Sequence, residues 1–239
     1  MDKKLTIILP VRNEKESLEI MIKLLNCSLN FEHEIIIVYD NDNDNSIDIA
    51  KNLQTKIPNI KLIKNEIGSG VKNAISAGVK ISNYEIILIT AVDEIFPIIA
   101  IDQMISKIVN ENYDLVSGTP YSKGGMRMGG SLLGTILSKL ANMIFKKLTN
   151  FPLSDLTTGI KMMKKKVWKE TKLESNPVGW AFALELSVKT FLDKRKITEV
   201  PLKSVDRLFG GKSTFKPIPW IKEYFRWFVW GISKLKNFN

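Results

Sequence analysis

The sequence of 239 residues contains one cysteine, one histidine and no long apolar run. A single cysteine, Cys27, cannot build a disulfide framework or a cysteine-based zinc site. The single histidine, His33, excludes a metal site made of several histidines and leaves one possible partner for Ser-His catalysis. Because no apolar run reaches the ~18 residues of a membrane-spanning helix, we expect no simple transmembrane segment.

We also expect no secretory signal, since Met1–Lys4 lead directly into a strand-like stretch. The sequence therefore predicts a cytoplasmic location. Apolar residues make up 44% of the chain and charged residues 25%, which is typical of a folded globular protein. No recognised nucleic-acid-binding module is present, and we expect no nucleic-acid partner.

Charge is distributed unevenly along the chain. Residues 1–117 have a net charge of −5, whereas residues 118–239 have a net charge of +15. An acidic half suits a metal ion or sugar hydroxyls, and a basic half suits an anionic acceptor, a membrane surface or nucleic acid. A basic surface that serves only solubility is the alternative explanation.

Short apolar strands alternate with helical segments in the first half of the chain. Strands are predicted over residues 5–10, 34–38, 61–64 and 85–90. Their alternation with helices predicts an α/β fold with a mainly parallel central sheet flanked by helices. Ligands of such sheets bind at the carboxyl ends of the strands, so the polar groups there are expected to converge on one crevice. These groups are Asn13-Glu14, Asp40–Asp44 and Asp93-Glu94.

Asp93-Glu94 is the candidate metal pair, because hard divalent cations take oxygen ligands. Paired carboxylates also serve in acid–base catalysis, and a helix N-cap is the structural alternative. The run that starts at Asp40 alternates like a calcium loop, but Asn45 and Lys51 stand where such a loop needs Gly and Glu. We interpret Asp40 instead as a hydrogen-bond acceptor for a nucleotide.

The C-terminal segment is rich in aromatic residues, with six of them between positions 220 and 230. As a helix, it places Lys222, Glu223 and Arg226 on a polar arc and most aromatic side chains on a broad opposite arc. Such a helix suits a membrane interface. We therefore predict a main domain at 1–216 and an amphipathic interfacial helix at 217–239. Packing of this helix on the protein's own core is the alternative.

Several sequence motifs occur in a characteristic order between residues 4 and 216. They are Ile8–Glu14, Val38–Asp44, Gly118–Gly125, Ser138–Asn142, Asp155–Lys161, Glu199–Pro201 and Arg207–Ser213. Together they resemble the family 2 glycosyltransferases of the dolichol-phosphate or polyprenyl-phosphate hexosyltransferase type. The resemblance implies a GT-A fold, a nucleotide-activated sugar as donor, and Mg²⁺ or Mn²⁺ as cofactor.

The resemblance also implies roles for particular residues. The nucleotide-sugar-binding residues would be Pro10, Asn13, Glu14, Asp40, Lys72 and Asp93. Asp93 matches the second aspartate of the family's Asp-x-Asp motif and, with Glu94, would bind the metal. The acceptor's phosphate would be bound by Lys139, Arg207 and Lys212. The catalytic residues would be Asp93, Asp155 and Arg207.

We therefore expect inverting transfer of a hexose from a nucleotide diphosphate sugar to a polyprenyl phosphate, such as dolichyl or undecaprenyl phosphate. The enzyme would lie peripherally on the cytoplasmic face of a membrane, where a membrane protein is a further candidate partner. One alternative is transfer to a saccharide hydroxyl in cell-surface glycan synthesis, with Asp155 or Glu94 as base. Another is a nucleotide-sugar-binding relative without catalysis, which Ala91 and Ile95 favour because they replace family Asp and Gln residues.

Overall fold

The computed structural model of the chain describes residues 2–129, 132–205 and 217–238. The strands are β1 (Leu5–Val11), β2 (His33–Tyr39), β3 (Ile60–Lys64), β4 (Ile86–Ile89), β5 (Leu115–Thr119), β6 (Met126–Met128), β7 (Lys161–Lys164), β8 (Ile197–Pro201) and β9 (Lys203–Val205). The helices are α1 (Lys15–Ser28), α2 (Ile47–Lys56), α3 (Val71–Ile81), α4 (Ile101–Val109), α5 (Leu132–Thr149), α6 (Lys165–Glu170), α7 (Phe182–Leu192) and α8 (Pro217–Lys236). A short 3-10 helix at Phe96–Ala100 precedes α4.

A seven-stranded sheet with the order β3-β2-β1-β4-β7-β5-β8 lies at the centre of the molecule. All of its strands run in the same direction except β7, which is antiparallel to both β4 and β5. The carboxyl ends of the parallel strands therefore lie on one edge, and β7 starts from that same edge. This arrangement confirms the predicted α/β fold with a mainly parallel sheet.

Two apolar layers cover the sheet, because successive strand residues point to opposite faces. Leu5, Ile7 and Leu9 of β1 pack in the layer that contains α1, α2 and α4. Ile8 points the other way and packs in the layer that contains α3 and α7. Gly78 of α3 approaches it so closely that an added Cβ would lie 2.8 Å from the Ile8 Cγ2 atom.

Helix α8 packs against α5 and α7. Trp227, at 2% exposure, is buried in this contact together with the carboxylate of Glu223, at 5% exposure. The helix is therefore oriented with Glu223 facing inward. The helical wheel groups this residue with the basic residues of the polar arc. The apolar residues Ile221 and Phe225 face outward.

Several elements were not predicted from the sequence, including β5, β7 and α4. Strand β7 has the sequence Lys-Met-Met-Lys, and all four residues are buried. Because lysines are normally exposed, Lys161 and Lys164 do not indicate a buried strand. The glycine-rich stretch 118–129 contains the end of β5 and the short strand β6. Strand β6 pairs in parallel with β9.

Candidate functional site

The loops that follow β1 and β2 are joined by hydrogen bonds. Asn13 N–H donates to both carboxylate oxygens of Asp44, at 3.0 and 3.1 Å, and Glu14 N–H donates to Ser46 Oγ at 2.8 Å. Asn13 adopts a φ of 60°, which asparagine tolerates better than most residues. These loops follow Pro10, which lies near the carboxyl end of β1. Asp44 thus fixes the predicted nucleotide residue Asn13, and Ser46 fixes Glu14, roles that the sequence did not predict.

Asp40 connects the end of β2 to the glycine turn before α3. Its Oδ1 accepts a hydrogen bond from Asn65 Nδ2 at 2.7 Å, and its Oδ2 accepts one from Gly70 N–H at 2.8 Å. Gly70 has a φ of 112°, and an added Cβ would lie 2.3 Å from the Pro177 carbonyl oxygen. This turn therefore requires glycine for both its conformation and its close contact.

Lys72 lies in the first turn of α3, two residues after Gly70. Its ammonium donates a hydrogen bond to the backbone carbonyl of Ser175. An ammonium has three N–H groups, so Lys72 can also donate to an anionic ligand beside this contact. Asp40 and Lys72, both predicted to bind the nucleotide, thus lie at one corner of the sheet edge.

Asp93 and Glu94 follow β4 and are half-buried. Glu94 Oε2 accepts a hydrogen bond from Ser204 Oγ of β9 at 3.0 Å. Because neighbouring strands are ~5 Å apart, the ends of β2 and β4 on either side of β1 are separated by ~10 Å. Asp93 and Asp40 therefore follow strands that end on the same edge, as the sequence predicts.

Side chains that could bind a metal ion are not clustered in the part of the chain that the structure describes. Within residues 2–129, 132–205 and 217–238, no three His, Cys, Asp or Glu side chains are grouped to hold one. Mg²⁺ in nucleotide enzymes is commonly held by one or two carboxylates together with substrate phosphates and water. Asp93 provides one such carboxylate at the strand ends. The donor set therefore fits an ion that binds together with the nucleotide.

Asp155 lies in the loop before β7 and is 2% exposed. Its Oδ1 accepts hydrogen bonds from Asn142 Nδ2 at 3.1 Å and from both N–H and Oγ1 of Thr157 at 2.7 Å. The hydroxyls of Ser138 and Thr157 are 3.1 Å apart. These contacts fasten α5 to the loop. A carboxylate this buried and this strongly hydrogen-bonded is better suited to positioning α5 than to removing a proton.

Lys161 is fully buried at the start of β7, where its ammonium donates to Ser117 Oγ at 2.9 Å. Burial lowers the pKa of Lys161 to about 8, although Asp155 and Glu199 favour the charged form. Glu199 in turn accepts hydrogen bonds from Ser154 N–H at 2.5 Å and Ser154 Oγ at 2.9 Å. Glu199, which stands among the apolar residues of β8, is the sequence signal that could point to this cluster.

Of the three residues predicted to bind the acceptor's phosphate, the structure describes one. Lys139 is exposed on α5, the helix that also carries Ser138 and Asn142. Arg207 and Lys212 lie outside the described residues, so the structure does not bear on them.

Helices α5 and α8 expose an apolar surface, which we call the outer face. It consists of Ile136, Leu137, Leu140, Met143, Ile144 and Leu148 of α5, and Ile221, Phe225 and Val229 of α8. Basic side chains of the same helices are exposed as well, namely Lys139, Lys146, Lys147, Lys222 and Arg226. In the part of the chain that the structure describes, no helix combines the length and apolarity needed to cross a membrane.

The fold of the sheet and its helices is that of the GT-A glycosyltransferases. Glucosyl-3-phosphoglycerate synthase from Mycobacterium tuberculosis, solved with Mn²⁺, UDP-glucose and phosphoglyceric acid, superposes with a TM-score of 0.68 at 14% identity. The superposition covers 96% of this chain and 80% of that one. The sequence pattern of glycosyl transferase family 2 matches residues 6–171, and the chain belongs to this family. The predicted fold and family are thereby confirmed.

Two curated relatives match most of this chain. The dolichol-phosphate mannosyltransferase of Pyrococcus furiosus is 26% identical over 94% of this chain, which spans 64% of that protein's length. The dolichyl-phosphate hexose transferase of Haloferax volcanii is 21% identical over 89% of this chain, which spans 87% of that protein. The Pyrococcus protein is therefore considerably longer than the region it shares with this chain.

Proposed function

We propose that this chain transfers a hexose, with inversion, from a nucleotide diphosphate sugar to a polyprenyl phosphate at a membrane surface. Family membership supports sugar transfer. The names of the Pyrococcus and Haloferax relatives support a dolichyl-type phosphate as acceptor. The Mn²⁺ and UDP-glucose in the mycobacterial structure support a nucleotide sugar and a divalent ion.

The observation that carries the proposal is that α5 faces both the site and the outside of the molecule. On one side, its Ser138 and Asn142 contact the Asp155 loop at the sheet edge. On the other side, it exposes Leu140 and Met143. A lipid-linked phosphate needs this geometry, because its charged head has to reach the site while its hydrocarbon chain stays in the membrane.

In the reaction that we propose, an oxygen of the acceptor phosphate attacks the anomeric carbon of the donor. The bond from that carbon to the diphosphate breaks, and its electron pair leaves with the nucleoside diphosphate. A phosphate is already an anion at neutral pH, so it needs positioning by cations such as Lys139 more than it needs a base. A divalent ion held by Asp93, when bound, would stabilise the charge on the departing diphosphate.

The outer face would provide the membrane contact. Apolar side chains flanked by lysine and arginine suit the interface of a bilayer that contains anionic lipids. Residues 217–239 would then form an interfacial helix attached to the domain at 1–216, on the cytoplasmic face. Helix α8 contacts α5 and α7 and also exposes Ile221, Phe225 and Val229, which supports a helix that is part of the fold and available to a membrane.

A transfer assay tests the proposal. Purified protein is incubated with Mn²⁺, a panel of UDP-sugars and GDP-sugars, and dolichyl or undecaprenyl phosphate in vesicles. We expect a lipid-linked sugar with one donor, loss of product in EDTA, and at least about 100-fold slower turnover in Asp93→Asn. Asp102→Asn, which changes an exposed carboxylate paired with Lys3, is the matched control and should retain activity.

Other outcomes of the assay would contradict the proposal. Sugar transfer to a saccharide hydroxyl, with none to either lipid phosphate, would favour the alternative acceptor. Nucleotide binding without transfer to any acceptor would favour the non-catalytic relative. Ala91 and Ile95, which stand where the family pattern has other residues, are the reason to include a binding measurement.

A further inference from the structure

The loop of residues 173–180, between α6 and α7, contacts the nucleotide corner; we call it the bridging loop. Its Ser175 carbonyl accepts the hydrogen bond from Lys72. Its Pro177 packs over Gly70, whose N–H is bound by Asp40. The position of the Lys72 ammonium and the shape of the glycine turn therefore depend on where this loop lies.

Two buried carboxylates bind the backbone of the bridging loop. Glu185 of α7 accepts hydrogen bonds from the N–H groups of Glu174 and Ser175, at 2.6 and 2.8 Å. Glu223 of α8 accepts two bonds from the next residue, Asn176: one from its N–H and one from its side-chain Nδ2, both at 2.8 Å. Glu185 belongs to a core helix, whereas Glu223 belongs to the helix that carries part of the outer face.

Glu223 is well suited to act as an anion in this place. Besides Asn176, it accepts a hydrogen bond from Trp227 Nε1 at 2.9 Å and lies 3.3 Å from Arg226 Nη1. Burial alone would raise the pKa of Glu223, but the hydrogen bonds from Asn176 and Trp227 and the charge of Arg226 outweigh it and lower the pKa. The carboxylate therefore stays ionised at neutral pH, and its bonds to Asn176 are charge-assisted.

A second contact joins α8 to the bridging loop. The Trp220 ring covers Gly179, where an added Cβ would lie 2.6 Å from Trp220 Cδ2. Gly179 has a φ of 57°, in the left-handed region that favours glycine. The bridging loop is thus held by α8 at two points, one polar and one aromatic, on either side of Pro177.

We propose that Glu223 is a positioning residue for the nucleotide subsite, acting through Asn176 and the bridging loop on Gly70 and Lys72. This inference rests on the proposed function, because it takes Lys72 as part of the donor site. Replacing Glu223 by Gln turns one acceptor oxygen into a donor that faces a donor of Asn176. The loop then loses a charge-assisted bond next to Ser175, and the carbonyl that orients Lys72 is held less firmly, by Glu185 without Glu223.

The test is a double-mutant cycle on nucleotide affinity. Binding of UDP and of GDP, each with Mn²⁺, is measured by calorimetry for the wild type, Glu223→Gln, Lys72→Met and the double variant. We expect Glu223→Gln to raise Kd about ten-fold, as loss of one charge-assisted hydrogen bond would. The double variant should bind less weakly than the product of the two single effects predicts, because both changes act on the same Lys72 contact. Glu174→Gln, an exposed carboxylate in the same loop, is the control and should leave Kd unchanged.

The cycle separates this inference from the proposed function. If Lys72→Met raises Kd but Glu223→Gln does not, or if the two factors multiply in the double variant, Glu223 has no positioning role. If the wild type binds neither nucleotide, or Lys72→Met binds as the wild type does, the donor site itself is wrong and the inference falls with it. Should Glu223→Gln fail to fold, Asn176→Ala removes only the Nδ2 bond and should still raise Kd.

Discussion

At the scale of single residues, the site is built on charged side chains that are buried and paired. Asp155 holds α5 to the loop before β7, and Glu223 holds the bridging loop to α8. Lys161 is the buried cation of this group, with Asp155 and Glu199 as the nearby carboxylates. A buried charge is costly unless it is compensated, so substituting one member of these pairs should disturb the local structure.

Lys161 should make the stability of the fold depend on pH in the alkaline range. An unfolded lysine keeps its proton up to about pH 10.4, whereas burial lowers the pKa of Lys161 to about 8. Between these values the unfolded state binds more protons, so the free energy of unfolding rises with pH. From pH 7.5 to 9.5, the wild type should gain about 2 kcal/mol relative to Lys161→Met in urea unfolding.

The control for this prediction is Lys166→Met, which changes an exposed lysine on α6. Its pH profile should follow that of the wild type, because an exposed lysine has nearly the same surroundings in both states. Parallel profiles for the wild type and Lys161→Met would show that the buried ammonium keeps an ordinary affinity for its proton.

At the scale of elements, α8 presents two different surfaces. The inner surface packs on α5 and α7, where the Phe228 and Phe145 rings meet edge to face at 5.4 Å. The outer surface exposes Ile221, Phe225 and Val229. An amphipathic helix is normally stabilised by burying its apolar side against its own protein. Aromatic residues of α8 lie on both surfaces. The contribution of each one to the free energy of unfolding therefore depends on how deeply its side chain is buried.

Two alanine substitutions on α8 should separate these surfaces. Trp227 is 2% exposed and Phe225 is 66% exposed. Trp227→Ala leaves a cavity and should lower the free energy of unfolding by about 3–5 kcal/mol, whereas Phe225→Ala should change it by less than about 0.5 kcal/mol. Urea unfolding followed by circular dichroism measures both values. Equal losses in the two variants would mean that the outer surface of α8 is covered by other parts of the chain.

At the scale of the whole molecule, the positive charge and the exposed apolar surface lie in the same half of the chain. The chain carries a formal net charge of +10, and its positive half begins at residue 118. The outer face and its flanking basic residues lie in that half. Such a surface should bind a bilayer through two additive terms, apolar insertion and attraction to anionic headgroups, and only the second is screened by salt.

Vesicle sedimentation tests this combination. The protein should bind vesicles with anionic lipids more tightly than neutral ones, and raising the salt concentration should reduce the difference. The double variant Phe225→Ser and Met143→Ser should bind about ten-fold or more weakly, since two exposed apolar side chains are lost. Leu24→Ser, on α1 at the opposite face of the sheet, should bind as the wild type does. Equal weakening by Leu24→Ser would contradict a specific outer face.

Much of the site could be predicted because it follows from local pattern. Polar residues follow the apolar strands predicted at 5–10, 34–38 and 85–90. This pattern alone predicts that Asn13, Asp40 and Asp93 lie on one edge of the sheet. Strand β7 could not be predicted in this way, because its burial depends on insertion between β4 and β5. The burial of Lys161 follows from that insertion.

The sequence by itself determined the strands β1 to β4 with the helices between them and the edge on which their polar loops lie, because periodicity and burial of short segments are local properties. Only the tertiary structure decided which way α8 turns and which charges meet. Glu223 and Asn176 are 47 residues apart, and Lys72 and Ser175 are 103 apart. Contacts between such distant positions depend on how the whole sheet and its helices pack, and no local pattern of residues encodes them.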